Sequence, residues 1–399
     1  MGYDWAISIE QPTALLTSVE LNLLQEAYQR SPGSAELALQ LANRLLINDR
    51  FEEVIELLEP RGDLSNTRTM FLIQAYFARK DPAADRKVVE LAELGLATAK
   101  YPEIQARMLA DMGKALIRLN DPDAALAALH RALELNPADR NALKRITAIH
   151  LKAGNPELVI ALAERLHDRG IGHSRLFASL VLAKAIAGDL PGAQALEGRA
   201  ELMRNQTIDT PPGWNSLAAF NAELAGQLQN HPALRFDRYG AASTRTWRID
   251  TPAMAEAPLV AVLQQVITRH VASYVADLDA FQHPWIGARP TGGLLHNWCV
   301  LTDGDGQEEW HVHQNGWLSG TYYVAVPESV QSATDERGCL VFGVPEDMTD
   351  LRTAEQFGQY VLRPEPGLLT LFPSHCYHRT FPHQAETRRI CLAFDIWPN

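Results

Sequence analysis

A turn motif recurs at a constant interval in the first half of the chain. Asn120, Gly154 and Gly188 each lie at such a turn, and they are spaced by 34 and 34 residues. Between the turns, apolar residues recur every three or four positions, which is the period of helices that bury one face. This fixed interval predicts helical hairpins that stack into an array, because one hairpin cannot bury its apolar face alone.

One unit of this array has the features of a known repeat. In residues 112–139, Gly113 permits the close approach of two helices, while Pro122 and Pro137 mark the start and the end of the second helix. Small and apolar residues line that second helix at Ala125, Leu129 and Ala132. The segment resembles the tetratricopeptide repeat position by position.

The array is predicted to occupy residues 1–203, with about five units over 35–203 and a further helix near 17–30. We therefore predict an N-terminal α-solenoid with a concave inner surface. Such a surface commonly receives a peptide or a partner protein. An inert spacer or a dimerisation platform is the alternative, and the sequence leaves the oligomeric state open.

Length and charge limit the class of protein. A chain of 399 residues is expected to form two domains. Its formal net charge of −12 argues against a general nucleic-acid binder, which needs clustered Lys and Arg. No apolar run approaches a membrane span, and no basic segment followed by an apolar core begins the sequence. We expect a soluble cytoplasmic protein with no membrane or nucleic-acid partner.

A second domain is predicted for residues 204–399, after a break at Pro211-Pro212-Gly213. Two helices are predicted first, at 216–230 and 257–278, and then eight short strands, at 294–302, 308–313, 319–327, 338–345, 360–365, 367–375, 377–383 and 388–397. This pattern suits a jelly roll or double-stranded β-helix, in which two sheets enclose a cavity. The prediction is a multidomain α + β protein whose second domain has a helical lead-in at 204–290 and a β-helix core at 291–399.

Three histidines of the predicted core are candidate metal ligands. His311 and His313 are one residue apart, so they lie on the same side of an extended strand. His378 follows a short predicted strand and a turn that directs it back across the sheets. The alternative is ordinary hydrogen-bonded packing. His375 and His383 are weaker ligand candidates, and His296 is a candidate for supporting a ligand.

Histidine ligands limit which metal ions the site can bind, but they do not identify one metal. Imidazoles suit Fe, Zn, Cu or Ni, and three ligands on one face leave positions open for substrates. A hydrolytic zinc site would also need a general base. Glu308 and Glu309 precede the histidine pair, but nothing in the sequence marks either of them as that base.

The C-terminal sequence resembles a known enzyme family. The runs HVHQNGWLSGTYYVAVP, RPEPGLLTLFPSHCYHRTFPH and RRICLAFDIW are similar to the Fe(II)/2-oxoglutarate-dependent oxygenases that often accompany tetratricopeptide repeats. The resemblance is close over the last hundred or so residues and extends back to about 214. It implies an HxD or HxE pair and a distal histidine as iron ligands, with a basic residue on the last strand for 2-oxoglutarate. His311 and His378 match the two family histidines.

His313 departs from that pattern, because it occupies the position where most of the superfamily has a carboxylate. A neutral imidazole there leaves an iron site one unit more positive. Iron sites with three histidines also exist among cupin dioxygenases that use no 2-oxoglutarate. The cosubstrate is therefore less certain from the sequence than the metal.

Arg389 is the candidate anchor for 2-oxoglutarate. It shares one strand face with the small residues Cys391 and Ala393, which would leave room inside the barrel. A guanidinium in that position can pair with a carboxylate through two hydrogen bonds. The alternative is a surface ion pair, which is our expectation for Arg388. Tyr323 is the candidate donor of a hydroxyl to the same carboxylate.

These observations together predict an Fe(II)- and 2-oxoglutarate-dependent dioxygenase that uses O2 and hydroxylates a protein or peptide presented by the repeat domain. One alternative is a cupin-type iron dioxygenase with three histidine ligands that acts on a small molecule without 2-oxoglutarate. The other is a repeat scaffold whose β domain is catalytically silent. The sequence names no substrate.

Overall fold

The computed structural model describes residues 5–11, 15–62 and 65–399. The chain divides into two compact units. The repeat unit is Leu15–Gly154, and the β unit combines the N-terminal segment with Asn155–Asn399. Helices between 156 and 202 therefore belong to the compact unit that contains the strands, although the sequence pattern groups them with the repeats. No helix of the described residues combines the length and the apolar character needed to cross a membrane.

The repeat unit consists of antiparallel helices. Its described residues form α1 (Thr17–Arg30), α2 (Ala35–Ile47), α3 (Phe51–Leu58), α4 (Asn66–Arg79), α5 (Pro82–Thr98), α6 (Pro102–Arg118), α7 (Pro122–Leu135) and α8 (Arg140–Lys152). Each helix packs on the next one, and α2, α4, α6 and α8 also contact one another in succession. These four helices form the inner layer of the array. The predicted solenoid of tetratricopeptide-like repeats is confirmed.

The recurring turns have a common backbone geometry. Asn120, Gly154 and Gly188 adopt left-handed φ angles of 61°, 74° and 86°, which reverse the chain after a helix. Asp121 then caps the following helix by accepting a hydrogen bond from the Ala124 amide at 3.1 Å. Asparagine and glycine tolerate the left-handed region better than most residues. The 34-residue interval thus marks the ends of α6, of α8 and of the helix Ser174–Ile186.

The β unit surrounds its strands with helices. It contains β1 (Ala6–Ile9), α9 (Pro156–Asp168), α10 (Ser174–Ile186), α11 (Leu190–Glu197), α12 (Arg199–Leu202), β2 (Arg204–Thr207), α13 (Leu217–Gln229), β3 (Arg235–Phe236), β4 (Ser243–Ile249), α14 (Pro258–Asp277), α15 (Pro284–Gly287), β5 (Gly292–Glu308), β6 (Leu318–Ala325), α16 (Glu328–Gln331), β7 (Leu340–Phe342), α17 (Leu351–Phe357), β8 (Tyr360–Leu362), β9 (Leu368–Pro373), β10 (His378–Thr380) and β11 (Arg389–Pro398).

Two sheets form the core of the β unit. The larger has the order β2-β9-β6-β11-β5-β4-β3, with β1 parallel to β5, and the smaller has the order β10-β7-β8. A cavity between them is lined by residues of both sheets. Helices cover the opposite face of the large sheet, where the Tyr322 hydroxyl donates to Asn221 of α13 at 2.7 Å. The predicted double-stranded β-helix is confirmed.

One predicted strand, 308–313, is wrong. Glu308 instead ends β5, which continues through a Gly- and Asp-rich segment because it pairs with β4 as far as this residue. Beyond it, His311 forms an isolated antiparallel bridge with His378. The His313 amide donates to the Ser374 carbonyl at 3.1 Å. The histidine pair is therefore extended, but it is paired to a loop and to the start of β10 rather than to a full strand.

Two glycine variants test the helix packing. A Cβ on Gly113 would lie 2.6 Å from two side-chain carbons of the fully buried Leu129, so Gly113→Ala is expected to lower the free energy of unfolding by about 1–3 kcal/mol. A Cβ on Gly226 of α13 meets nothing within 4 Å, so Gly226→Ala is expected to raise it by up to about 1 kcal/mol. Urea unfolding followed by circular dichroism measures both, and a Gly113→Ala protein as stable as the parent would contradict the packing.

Candidate metal centre

Three histidines converge beside the cavity between the sheets, which His313 and His378 line. Reciprocal backbone hydrogen bonds of 3.0 Å join His311 to His378. The ring centroids of His311 and His378 are 4.2 Å apart, those of His313 and His378 are 4.9 Å apart, and those of His311 and His313 are 5.2 Å apart. One ligand atom from each of the three rings lies within 4.8 Å of the other two. The structure thus brings all three candidate ligands together.

The Nδ1 atom of each ring faces an oxygen acceptor. His311 Nδ1 donates to the Glu309 carbonyl at 2.7 Å, and His378 Nδ1 donates to the Cys376 carbonyl at 3.0 Å. His313 Nδ1 donates to Asp395 Oδ1 at 2.5 Å. A carbonyl or carboxylate oxygen can only accept, so each Nδ1 bears the proton. In the neutral rings, the lone pairs are therefore on Nε2, which is the tautomer that binds a metal.

The Nε2 atoms are arranged as a metal ion requires. His311 Nε2 and His313 Nε2 are 3.2 Å apart. Two imidazole nitrogens bound to one ion at right angles would be about 3 Å apart, given metal–nitrogen bonds of about 2.1 Å. Two lone pairs at this distance repel each other unless a cation lies between them. The donor set therefore fits a divalent transition metal bound by three imidazoles.

Burial favours the neutral form of two of the three rings, those of His311 and His378. It lowers the pKa of His311, against the opposing effect of Glu308, and it lowers the pKa of His378 further, with a contribution from the neighbouring histidines. Burial by itself would raise the pKa of Asp395, but His313 and hydrogen bonds hold it below its ordinary value. The site therefore combines the neutral rings of His311 and His378 with an ionised Asp395 carboxylate.

Asp395 connects His313 to a polar network behind it. The Ser319 hydroxyl donates to Asp395 Oδ1 at 2.7 Å, and the hydroxyl oxygens of Ser319 and Ser374 are 2.7 Å apart. Gly316 passes close to this group, because a Cβ there would lie 2.6 Å from Ser374 Oγ and 3.0 Å from Asp395 Cγ. The network fixes the orientation of the His313 ring.

Helices preceding the β-helix position the turn after the histidine pair. The Ser174 hydroxyl at the start of α10 donates to the Gly316 carbonyl at 2.6 Å. Trp285 of α15 stacks on Trp317 with ring centroids 4.4 Å apart, and each indole N–H donates to the backbone carbonyl of the other residue. These buried contacts determine where the turn lies.

The loop before His378 is attached to the same helices. Arg175 of α10 donates to the Tyr377 hydroxyl at 3.2 Å. His375 Nε2 donates to the Leu196 carbonyl at 3.1 Å, and the Cys376 thiol lies 3.4 Å from the Glu197 carbonyl. Both ligand-bearing loops therefore depend on α10 and α11.

The other histidine candidates lie outside the ligand group. His296 Nδ1 is 2.6 Å from Glu10 Oε2, and its ring stacks on Trp397. His383 Nε2 donates to the Thr302 carbonyl at 2.8 Å. His375 is buried against α11, where burial and His283 lower its pKa to about 3. These three side chains support the fold.

Arg389 lies at the inner end of the cavity. The lining of the cavity includes His313, His378, Tyr323 and Arg389. Only 2% of Arg389 is exposed, and Nη1 donates to the Gly338 carbonyl at 2.7 Å. Nη2 lies 3.3 Å from the Thr380 hydroxyl, while Nε is buried without a hydrogen-bond partner. No carboxylate of the described residues forms an ion pair with this guanidinium.

Several of the residues that line the cavity have small side chains, which leaves the cavity open. The lining includes Gly320, Thr321, Cys391 and Ala393. Burial raises the pKa of Tyr323, against the opposing effect of Arg389, so its hydroxyl stays protonated and can donate. Trp298 also lines the cavity, whereas the Asn297 side chain accepts from Gln264 of α14 at 2.8 Å.

Two carboxylates of the site were not predicted as site residues. Asp395 lies six residues after Arg389, so the alternation of side chains along β11 places both on the cavity side, and this signal was available. Glu308 lines the cavity, and its Oε2 is 3.4 Å from His311 Nε2. Its position follows from the unexpected length of β5, which no local pattern of residues indicated.

Residues 296–395, which include all three histidines, match the family model described as "Putative 2OG-Fe(II) oxygenase". This part of the chain is a 2OG-Fe(II) oxygenase domain. The family uses Fe(II), 2-oxoglutarate and O2. No curated protein matches the chain in sequence.

Solved structures are similar to the chain at low identity. A prolyl-4-hydroxylase from Pseudomonas putida is 14% identical, with 54% of this chain and 99% of that chain covered and a TM-score of 0.33. A prolyl hydroxylase from Trichoplax adhaerens, in complex with a hypoxia inducible factor peptide fragment, is 10% identical, with coverage of 53% and 91% and a TM-score of 0.34. YrrB, a TPR protein with an unusual peptide-binding site, is 18% identical, with coverage of 45% and 91% and a TM-score of 0.33. At these TM-scores, the assignment of the oxygenase domain depends on the family model.

The Asp395 contact gives a test of the metal centre. Asp395→Asn removes the anionic acceptor of His313, so it is expected to lower the affinity for a divalent metal by about 10–100-fold. Anaerobic titration with Co(II), followed by its visible absorption, measures the affinity. Asp303→Asn is the matched control, because Asp303 accepts from Arg388 and Trp247 instead of a ligand histidine. Equal losses in both variants would contradict the assigned role.

Proposed function

We propose that the chain is an Fe(II)- and 2-oxoglutarate-dependent dioxygenase that hydroxylates a protein or peptide substrate. His311, His313 and His378 bind the iron, Arg389 binds the distal carboxylate of 2-oxoglutarate, and Tyr323 donates to the same carboxylate. The observation that carries the proposal is the convergence of three imidazole rings, each with Nδ1 facing an oxygen acceptor and one ligand atom within 4.8 Å of those of the other two rings.

The environment of Arg389 supports a dianionic cosubstrate. A guanidinium this deeply buried costs several kcal/mol in free energy unless an anion compensates it. Its Nε has no hydrogen-bond partner among the described residues, and Arg389 and Tyr323 line the same cavity as His313 and His378. We propose that one carboxylate of a short dicarboxylate such as 2-oxoglutarate pairs with this guanidinium.

The negative charge of Asp395 beside His313 favours iron binding although the third ligand is a histidine. Most of the superfamily has a carboxylate among the ligands, whereas here the carboxylate accepts a hydrogen bond from the ligand His313. A carboxylate behind an imidazole increases the basicity of the ring. The negative charge absent from the three ligands is therefore supplied by Asp395, which contacts the ligand His313 rather than the metal.

The residues of the chain bind, orient and exclude water. With iron and 2-oxoglutarate bound, the centre supplies oxidative decarboxylation and the oxygen atom for hydroxylation of a C–H bond. Asp395, Ser319 and the two backbone carbonyls orient the three rings before any ligand binds. Arg389 and Tyr323 fix the cosubstrate in one direction, and Trp298 and Phe372 provide an apolar wall that limits water near the metal.

The repeat unit suggests the kind of substrate. Its inner helix layer resembles surfaces that bind extended peptides, and we propose that it presents a protein segment to the oxygenase domain. A small-molecule dioxygenase of the cupin type remains the rival. That rival predicts no 2-oxoglutarate turnover.

Arg389 distinguishes the two mechanisms. Arg389→Met is expected to weaken 2-oxoglutarate binding at least about thirtyfold, because it removes one partner of a buried charge pair. Arg388→Met is the control, because Arg388 forms a half-buried ion pair with Asp303 at 2.8 Å outside the cavity. The measurement is anaerobic titration of the Fe(II)-loaded protein with 2-oxoglutarate, followed by the metal-to-ligand charge-transfer absorption.

Turnover tests the proposed function directly. The Fe(II)-loaded protein is expected to convert 2-oxoglutarate to succinate under air, at a low rate without substrate. His313→Ala and Arg389→Met are expected to abolish or strongly reduce this rate, whereas Arg388→Met is expected to preserve it. A parent protein that binds iron tightly but gives neither the absorption band nor succinate would favour the cupin-type rival. A parent that retains no metal would favour the silent scaffold.

A further inference from the structure

A group of basic side chains lies on the inner helix layer of the repeat unit. Arg107, Lys114 and Arg118 lie on α6 at spacings that place them near one helix face, and Arg145 lies on the neighbouring inner helix α8. The electrostatic effects of Arg118 and Arg145 both reach Lys114. We call these four residues the basic cluster.

Only half of the basic cluster is neutralised by the chain itself. Arg107 Nε is 3.0 Å from Asp111 Oδ2, and Arg118 Nη1 is 3.3 Å from Asp85 Oδ1. Lys114 and Arg145 form no ion pair with a carboxylate of the described residues. The Lys114 ammonium lies over the ring of Phe77, 3.7 Å from its centroid, and Arg145 Nη1 donates to the Asn141 carbonyl at 2.8 Å.

The two unpaired cations are half-buried, which makes their charges costly. Burial, with Arg118 and Arg145 nearby, lowers the pKa of Lys114 to about 8. Burial also lowers the pKa of Arg145, although Asp111 and Asp139 oppose this. A bound anion would relieve both the repulsion and the desolvation. The cluster is a local excess of cations on a chain whose net charge is −12.

The dimensions of the cluster favour an extended ligand. Arg107 and Arg118 are eleven residues apart on one helix, so they span about 16 Å along its axis. An extended peptide of about five residues covers the same distance. A single small anion reaches only one part of such a row. A nucleic acid fits less well, because its closely spaced phosphates require many clustered Lys and Arg, whereas only Lys114 and Arg145 of this row lack an ion pair.

We propose that the basic cluster binds an acidic segment of the protein substrate, through Asp or Glu side chains spaced along an extended chain. Lys114 and Arg145 pair with carboxylates, and Phe77 provides the apolar floor that positions the Lys114 ammonium. This inference names the substrate class of the proposed function, and it rests on that function for the claim that the bound segment belongs to a substrate. The binding itself requires neither iron nor 2-oxoglutarate.

Peptide binding to the full chain tests the proposal in the absence of metal and cosubstrate. The probe is a fluorescent ten-residue peptide with alternating Glu and Ala, acetylated and amidated at its ends, and its anisotropy is measured against the protein. A peptide with Gln in place of Glu is the matched probe. The acidic peptide is expected to bind at least tenfold more tightly, with an affinity that falls as salt is added.

Variants locate the binding site. Lys114→Met and Arg145→Met are each expected to weaken binding of the acidic peptide about tenfold, because each removes one charged partner, while Lys114→Arg retains most of the affinity. Arg131→Met is the control, because Arg131 is an exposed cation on α7, outside the inner layer. Circular dichroism establishes that each variant is folded, and two independent variants protect the test against the failure of one.

Several outcomes would overturn the proposal. These are equal binding of the Glu and Gln peptides, unchanged affinity in both Met variants, or tighter binding of a single-stranded oligonucleotide than of the acidic peptide. A Gln peptide with a free C-terminus that binds as well as the Glu peptide would assign the site to a chain terminus instead. If the acidic peptide does not bind, the expected turnover of 2-oxoglutarate is unaffected. If the protein does not turn over 2-oxoglutarate, the expected peptide binding is unaffected. The two results are therefore distinguishable.

Discussion

The convergence of three imidazole rings, with one ligand atom of each within 4.8 Å of the other two, is the arrangement on which the rest of the site depends. Such an arrangement is unfavourable by itself, and rings free to rotate would leave it. The protein prevents rotation by giving each Nδ1–H an oxygen acceptor, which also fixes the tautomer. Two of the acceptors are backbone carbonyls within two residues of the ring they orient. The local backbone therefore orients two of the three rings in the absence of a metal.

The third acceptor, Asp395, makes the site depend on the whole β unit. It lies on the last strand, 82 residues from His313, and Ser319 on β6 also donates to it. The ligand-bearing loops in turn contact α10 and α11, which precede the sheet in sequence. Helices with a repeat-like sequence are thus part of the metal site's support. This explains why they pack in the compact unit that contains the oxygenase domain.

Much of the fold followed from the sequence because its signals are periodic. The 34-residue interval, the two lead-in helices and most core strands depend on local alternation and turn residues, which a single sequence displays. The length of β5 did not follow, because its Gly- and Asp-rich end is stabilised by pairing with β4, a contact distant in sequence. The proximity of the three histidines was inferred from strand alternation at His311 and His313 and from the turn before His378, and the family resemblance then matched His311 and His378. Glu308 and the partners of His375 depend on tertiary packing and had no local signal.

The position of Asp395 bears on why a third histidine is compatible with oxygenase chemistry. A carboxylate ligand places its charge on the metal, whereas Asp395 places it about one imidazole ring away, so the metal experiences a weaker field. Glu308, with Oε2 3.4 Å from His311 Nε2, adds a second negative charge on the cavity side. Two carboxylates near the three histidines would therefore offset the charge that a carboxylate ligand would have supplied to a bound metal. On this argument, neutralising Asp395 changes the metal affinity more than it changes the geometry of the ligands, because the two backbone carbonyls still orient the other rings.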